Sequence, residues 1–311
     1  KEMKAVMYHY VRPRDSNLPN LHRLDINNFR KQLDFFETNM GFVSREKFIS
    51  AINEKKPCNG VVLTFDDGLS CHYEYVFKEL KRRNLWGIFY VPSGPFVNNK
   101  ILDVHRIHIL LAKVEPKIIY NHLLSINIYD KIGENKIEEF EKFTYLNQSN
   151  DAETLKIKRI LNYFIEFKFK DQIIDELMKK FMKNMLDVKE FYLSIENMKE
   201  MQTEGMIIGS HTVNHKVMSS LNFNEQNKEI MNSFNFLENS LGKSLFKTFC
   251  YPYGGNHTFN KITEGILKDI SCDFSFNVEY RDINEHDLKK RNQALPRYDC
   301  NLYKYGSVSK N

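Results

Sequence analysis

Several features are missing from this chain, and each absence narrows what it does. The 311 residues contain five cysteines (Cys58, Cys71, Cys250, Cys272 and Cys300), an odd number with no Cys-x-x-Cys pair. A disulfide framework is therefore not expected, and the usage suits a reducing compartment. No run of about 18 apolar residues exists, so no transmembrane helix is expected. The opening "KEMKAVMYHYVRP" has no apolar h-region of a signal peptide, although it starts at Lys rather than Met. The expected location is cytoplasmic, or periplasmic or extracellular if a leader was removed. Charge of one sign is also scarce: the net charge is +5, with lysines scattered among Glu and Asp. Without a basic run or a nucleic-acid-binding signature, nucleic acid is not an expected partner. What is present is a 42% hydrophobic content, enough for a sizeable core and against disorder.

The order of patterns reads as α/β. "KAVMYHYV" (4–11) is a short buried strand, and 24–41 is a helix with Asp25 as cap and Gly41 as stop. A strand at 60–65, a helix near 72–84 and the strand "GIFYV" (87–91) follow. Alternation of this kind implies parallel strands covered by helices. From about 101 to 192 the chain is rich in Lys, Glu, Ile and Phe and nearly free of Gly and Pro, which predicts a helical insertion. The alternation then returns: strand 206–210, helix 224–240 ended by Gly242, strand 247–251, helix 259–269 and strand 272–278. Residues 281–292 read as a charged loop. The whole of 1–311 reads as one domain carrying the 101–192 insertion.

"VVLTFDDGLS" (61–70) ends an apolar strand in two adjacent carboxylates, Asp66 and Asp67, which repel unless positive charge is close. Alone, the Asp-Asp-Gly is a turn and helix cap. "IGSHTVNHKV" (208–217) offers the partner. If this segment starts a helix, His211 and His215, four apart, lie on one face at a spacing that suits one metal ion. Two histidines and one carboxylate form a common catalytic zinc set that leaves a position open. Asp67 could supply that carboxylate, and with Asp67 on the metal Asp66 stays free as a base toward the attacking water. In "FCYPYGGN" (249–256), Pro252 stiffens a turn and Gly254 and Gly255 permit unusual backbone angles, so a backbone N–H there suits an oxyanion.

Together "TFDDG", "SHTVNH" and "YPYGG", in this order on both flanks of the insertion, resemble the NodB-type polysaccharide deacetylases, carbohydrate esterase family 4. The resemblance implies a distorted (β/α)7 barrel and a divalent metal, most often Zn²⁺ with Co²⁺, Ni²⁺ or Mn²⁺ as alternatives. It implies hydrolysis of N-acetyl groups on amino sugars of a surface glycan, a lipopolysaccharide, or a nucleotide- or lipid-linked sugar. By the same resemblance Asp66 is the base, Asp67, His211 and His215 are the metal ligands, and Tyr253 supplies the oxyanion N–H. The neighbours Pro252, Gly254 and His257 are the substrate-side candidates.

Two departures matter. The arginine usual just before the Pro-Tyr pair is replaced by Cys250, and the usual C-terminal Leu-x-Leu-His is absent, the chain reading "ALPRYDCN" (294–301) there. Another branch of the family carries its acid histidine on an N-terminal Tyr-His strand, as "VMYHYV" (6–11) does here. The resemblance therefore makes His9 the general acid, and Arg297 in "ALPRYDCN" is the candidate to replace the lost arginine and orient Asp66, against an ordinary structural arginine. Two alternatives stay open: an inactive carbohydrate-binding relative, and a hydrolase of another C–N bond or of an O-acetyl ester.

Overall fold

Parallel strands buried on both faces read as continuous apolar runs, because successive side chains point to opposite sides and both sides are covered. This chain shows that rule directly. In the strand Gly60–Asp66 (β2), Val61, Leu63 and Phe65 join one apolar cluster, while Val62 joins the other. Val6 and Tyr8 of the strand Met3–Tyr8 (β1) face the first cluster, and Met3 and Ala5 the second. Phe89 and Val91 of the strand Ile88–Val91 (β3) divide from Ile88 and Tyr90 in the same way.

The computed structural model describes residues 2–133, 135–146, 148, 150–184 and 186–310. The chain divides into two compact units. The first comprises Lys1–Pro13, Arg23–Lys100 and Asp187–Ser309. It holds β1 to β3 and four further strands: Ile207–Ser210 (β4), Thr248–Cys250 (β5), Phe274–Phe276 (β6) and Tyr298–Asp299 (β7). All pair in parallel, in the order β6-β5-β4-β3-β2-β1-β7. The N-terminal strand thus sits inside the sheet, between β2 and β7. Helices connect the strands. Helix Ile26–Asn39 starts on the Asp25 cap, whose carboxylate accepts from the Asn27 N–H, and stops before Gly41 at φ 70°. Helix Phe223–Leu241 starts on an Asn222–Glu225 capping box and ends at Gly242.

One expectation is corrected in this unit. Residues 281–292 are not a plain loop: Glu285–Lys290 is a helix, with Asn284 and Asp287 forming its capping box. Its charged residues pair within the segment, Arg281 with Asp287 at 2.6 Å, so high polarity here masks a helix. The second unit comprises Arg14–His22, Ile101–Leu186 and Lys310–Asn311. It is helical, with helices Asp103–Lys113, Pro116–Ser125, Lys136–Glu141, Ala152–Arg159 and Phe167–Phe181. Arg106, buried, reaches Asp103 at 2.7 Å, Asp171 at 2.9 Å and also Asp175, tying the first of these helices to the last. Among the described residues no helix is long and apolar enough to cross a membrane.

Candidate active site

β2 delivers Asp66 by parity. Asp66 lies two positions after Thr64, so both side chains point to the same face of the sheet. There they meet Arg297, which comes from the segment just before β7. Arg297 Nη1 donates to Asp66 Oδ1 and Nη2 to Asp66 Oδ2, each at 2.8 Å. Nη1 also donates to Thr64 Oγ1 at 3.1 Å, Nη2 to Cys250 Sγ at 2.9 Å, and Nε to the Asn277 carbonyl at 3.1 Å. All five guanidinium N–H donors are therefore used in a site where Arg297 is 1% exposed and Asp66 3%. Burial opposes ionisation of Asp66, but the Arg297 charge and hydrogen bonds outweigh it, aided by His211 and His9, and hold its pKa at about 2. Cys250 occupies the place of the usual arginine, and its thiol lies 3.5 Å from Asp66 Oδ2.

Asp67 leaves the strand in the opposite sense. Its φ of 85° is a left-handed conformation that few non-glycine residues adopt. Gly68 follows at φ 62°, where a Cβ would stand 2.9 Å from Val91 Cγ1. The turn separates the two carboxylates, sending Asp67 to the histidines after β4. Asp67 Oδ1 lies 3.3 Å from His211 Nε2 and 3.4 Å from His215 Nε2. The expected helix is not what brings the rings together. Residues after Ser210 form a loop in which Thr212 (φ 66°) and His215 (φ 54°) break the helical path. The His215 N–H donates to Thr212 Oγ1 at 2.9 Å. Buried Glu229 accepts from the Val213 and Asn214 N–H groups at 3.0 and 2.8 Å and from Asn214 Nδ2 at 2.9 Å. The loop's backbone donors are thus satisfied by a side chain from helix Phe223–Leu241 instead of by helical turns.

The donor set fits a divalent ion. Three ligand atoms bonded at about 2.0–2.1 Å in a tetrahedron stand about 3.3 Å apart, which matches both measured spacings. His211 Nδ1 lies 2.8 Å from the Cys250 carbonyl, which only accepts, so Nδ1 carries a proton and Nε2 is the atom turned to Asp67. Burial disfavours the imidazolium, yet Cys250, Asp67 and Asp66 push the His211 pKa well above its ordinary value, so this pocket favours positive charge, whether from a proton or from a divalent ion. Asp66, His211 and Cys250 form a second trio with metal-ligand spacing, but Arg297 already holds that sulfur and that carboxylate.

His9, just past β1, has its Nε2 3.9 Å from Asp66 Oδ2, and at 44% side-chain exposure it is open to solvent. Tyr253 packs edge-on against His215, ring centroids 4.8 Å apart. Its φ of 65° and that of Gly254, 75°, make a tight turn after β5, and a Cβ on Gly254 would meet Val278 Cγ2 at 2.3 Å. Pro252 precedes this turn. His257 lies in the same loop with its ring against Gly255, and burial lowers its pKa. The structure therefore gathers His9, Asp66, Asp67, His211, His215, Tyr253 and Arg297. It leaves Pro252, Gly254 and His257 as the loop around Tyr253. Glu229 and the Cys250 thiol contact escape sequence reasoning. Glu229 looks like any helix-surface glutamate, and its signal is only an acidic residue on the helix after the histidine loop.

Comparison with known proteins places this arrangement. The seven parallel strands with their connecting helices match the (β/α)7 fold of NodB-type deacetylases. The model of the polysaccharide deacetylase family matches residues 172–273, a span that contains the "SHTVNH" and "YPYGG" motifs. The deacetylase PplD of Streptococcus pyogenes, solved in complex with acetate, superposes at TM-score 0.58 and 16% identity, over 96% of this chain and 92% of that one. IcaB of Ammonifex degensii gives 0.55 and 16%, over 95% and 90%. A de-N-acetylase of Aggregatibacter actinomycetemcomitans gives 0.53 and 16%, over 96% and 94%. A sequence search of curated proteins found no match. The resemblance to the NodB-type polysaccharide deacetylases is borne out, and at these identities the superpositions establish the fold.

Proposed function

We propose that this protein is a metal-dependent deacetylase that removes acetyl groups from N-acetylated amino sugars. The observation that carries the reading is the division of labour at one strand end. Asp66 is clamped by Arg297, and its neighbour Asp67 meets His211 and His215 at ligand spacing. A divalent ion, Zn²⁺ before Co²⁺, Ni²⁺ or Mn²⁺, would be held by Asp67, His211 and His215, and when bound would polarise the acetyl carbonyl and acidify water.

The chain's own residues do the rest. Asp66, ionised at neutral pH, accepts the proton of the attacking water. Arg297 keeps that carboxylate from turning and keeps its charge compensated. The Tyr253 N–H donates to the oxyanion as the carbonyl carbon becomes tetrahedral. His9 donates a proton from its imidazole to the departing sugar nitrogen, which is otherwise a poor leaving group. The C–N bond breaks, and acetate and a free amino sugar result. The substrate is a glycan or a nucleotide- or lipid-linked sugar.

The test is acetate release from free, nucleotide-linked and polymeric N-acetylated sugars. It uses metal-stripped protein with and without added Zn²⁺ or Co²⁺, beside Asp66→Asn. Metal-dependent acetate that disappears in the variant supports the proposal. One equivalent of bound metal with no acetate from any substrate refutes it.

A further inference from the structure

His72 is completely buried, and neither the motif nor the ligand set uses it. Its ring lies against Phe65 and Phe89, with centroids 5.7 and 5.8 Å away. An apolar ring would pack there without the cost of placing nitrogens in a dry environment. What the imidazole adds is one hydrogen bond: Nε2 lies 2.7 Å from the main-chain carbonyl oxygen of His9. A carbonyl only accepts, so Nε2 carries the proton. Burial lowers the His72 pKa to about 4, so the ring is neutral at neutral pH and its single N–H is committed to His9.

The location gives this bond its consequence. The β1–β2 ladder ends at the Tyr8–Phe65 pair. One residue later β2 runs on into the Asp66–Asp67 turn, and His9 has passed the last ladder pair. The contact from His72, at the start of the helical turn that follows the Asp-Asp-Gly, takes the place of a ladder partner. It fixes the peptide that aims the His9 side chain toward Asp66.

We propose that His72 is a positioning residue for the proton donor: it holds the His9 backbone so that the His9 imidazole stands beside Asp66. This rests on the reading of His9 as general acid.

The experiment compares His72→Phe, which keeps a ring and loses the donor, with His72→Gln, which restores an N–H at similar reach. His72→Leu is a second variant without the donor, in case Phe folds poorly. Each is made in the whole 311-residue chain loaded with Zn²⁺, alone and with His9→Ala. The probes are N-acetylated chitopentaose, whose leaving nitrogen needs a proton, and p-nitrophenyl acetate, whose phenolate does not. His72→Phe should lower kcat on the amide about 10- to 100-fold, as small misplacements of a catalytic group do. KM should stay within about threefold and ester turnover should be nearly unchanged, because only proton donation is affected. His72→Gln should recover most of the loss. Added to His9→Ala, His72→Phe should change kcat by less than about twofold, since two residues acting through one group are not additive. Long-range ¹H–¹⁵N spectra should show His72 as the Nε2–H tautomer.

A folded His72→Phe protein with parental kcat, losses that multiply with His9→Ala, or an Nδ1–H tautomer each overturn the proposal. If His9→Ala alone leaves amide turnover unchanged, or the parent turns over neither probe, the underlying reading of His9 fails instead. The tautomer measurement still decides the His72–His9 contact in that case.

Discussion

Arg297→Met should strip the first unit of much of its stability and invert its response to pH. In the parent, Arg297 gives every N–H it has: two to Asp66, one each to Thr64, Cys250 and the Asn277 carbonyl. Methionine fills similar volume but leaves the buried Asp66 carboxylate with no guanidinium. Removing one member of a buried, hydrogen-bonded ion pair costs about 3–5 kcal/mol, against a total of about 5–15 kcal/mol for a typical protein. The sign of the pH effect follows from which way Asp66 is shifted. In the parent its pKa is lowered from 3.8 to about 2. That depression corresponds to about 2 kcal/mol of stability, present above the unfolded value and lost as pH falls through about 2. Without the guanidinium, burial acts with little opposition and raises the carboxyl pKa. Stability is then fullest below the unfolded value and is lost as pH rises through the folded one.

Urea unfolding followed by Trp86 fluorescence reads this out, with chelator present to remove metal. Trp86 is the sole tryptophan and belongs to the same unit, with Nε1 donating to the Val43 carbonyl at 2.8 Å and its ring 5.1 Å from Phe48. The Arg297→Met midpoint should fall between about pH 4 and 7, where the parent's holds or rises. Adding Asp66→Asn should return part of the loss, because no charge is then left unpaired. A loss below about 1 kcal/mol, or a pH slope of the parent's sign, refutes the claim that this pair is charged and mutually dependent.

His9→Ala should lower amide turnover about 10²- to 10⁴-fold, while turnover of p-nitrophenyl acetate falls far less; equal losses on both would deny His9 the proton-donor role. Glu229→Gln should weaken Zn²⁺ binding about tenfold in competition with a chromogenic chelator, because the loop that carries His211 and His215 loses an acceptor. Unchanged affinity would mean that the loop holds its shape without that carboxylate. Gly254→Ala should cost about 1–3 kcal/mol in urea unfolding, from a φ of 75° and a Cβ contact of 2.3 Å with Val278. Adding Val278→Ala should relieve the contact but not the dihedral strain.

The strands were legible because a parallel strand covered on both faces writes itself as an apolar run, and the polar residue that ends the run marks the sheet's carboxyl edge. Asp66, Asp67, His211 and Cys250 all stand at such an edge. Local chemistry made helix Ile26–Asn39 readable too, through the Asp25 cap. Where tertiary contacts replace local ones, the reading failed. The histidine segment has helical spacing, yet Glu229 satisfies its amides from another helix, so no helix forms. The charged stretch at 281–292 hides a short helix because its start is set by the Asn284–Asp287 capping box and by Arg281 pairing with buried Asp287, not by an apolar period. Helix Arg45–Glu54, capped by Ser44, has no counterpart in the sequence expectations, since its few apolar positions give weak periodicity. Arg297 and Asp66 are 231 positions apart. No spacing rule joins them, and only the family resemblance and the missing arginine suggested the pair. The bond from His72 to His9 had no signal at all, because it depends on where one strand stops beside the start of a helical turn.

The adjacent carboxylates that open the puzzle are tolerable because they do not share a counter-charge. Asp67 turns away through a left-handed backbone, and Asp66 takes two of the five Arg297 donors. Cys250 makes this possible. Its neutral thiol accepts one Arg297 donor, where an arginine on β5 would bring a second cation to oxygens already filled. Its carbonyl at the same time fixes the His211 proton on Nδ1. One small residue on β5 thus settles both halves of the site. The cation that pairs with Asp66 enters from the segment before β7, and His211 turns its Nε2 to Asp67. With Arg297 matched to Asp66, the remaining negative charge rests on Asp67, between two imidazoles at ligand distance. Asp67 therefore lies where a divalent ion fits, and Asp66 lies in a two-point clamp that holds its orientation.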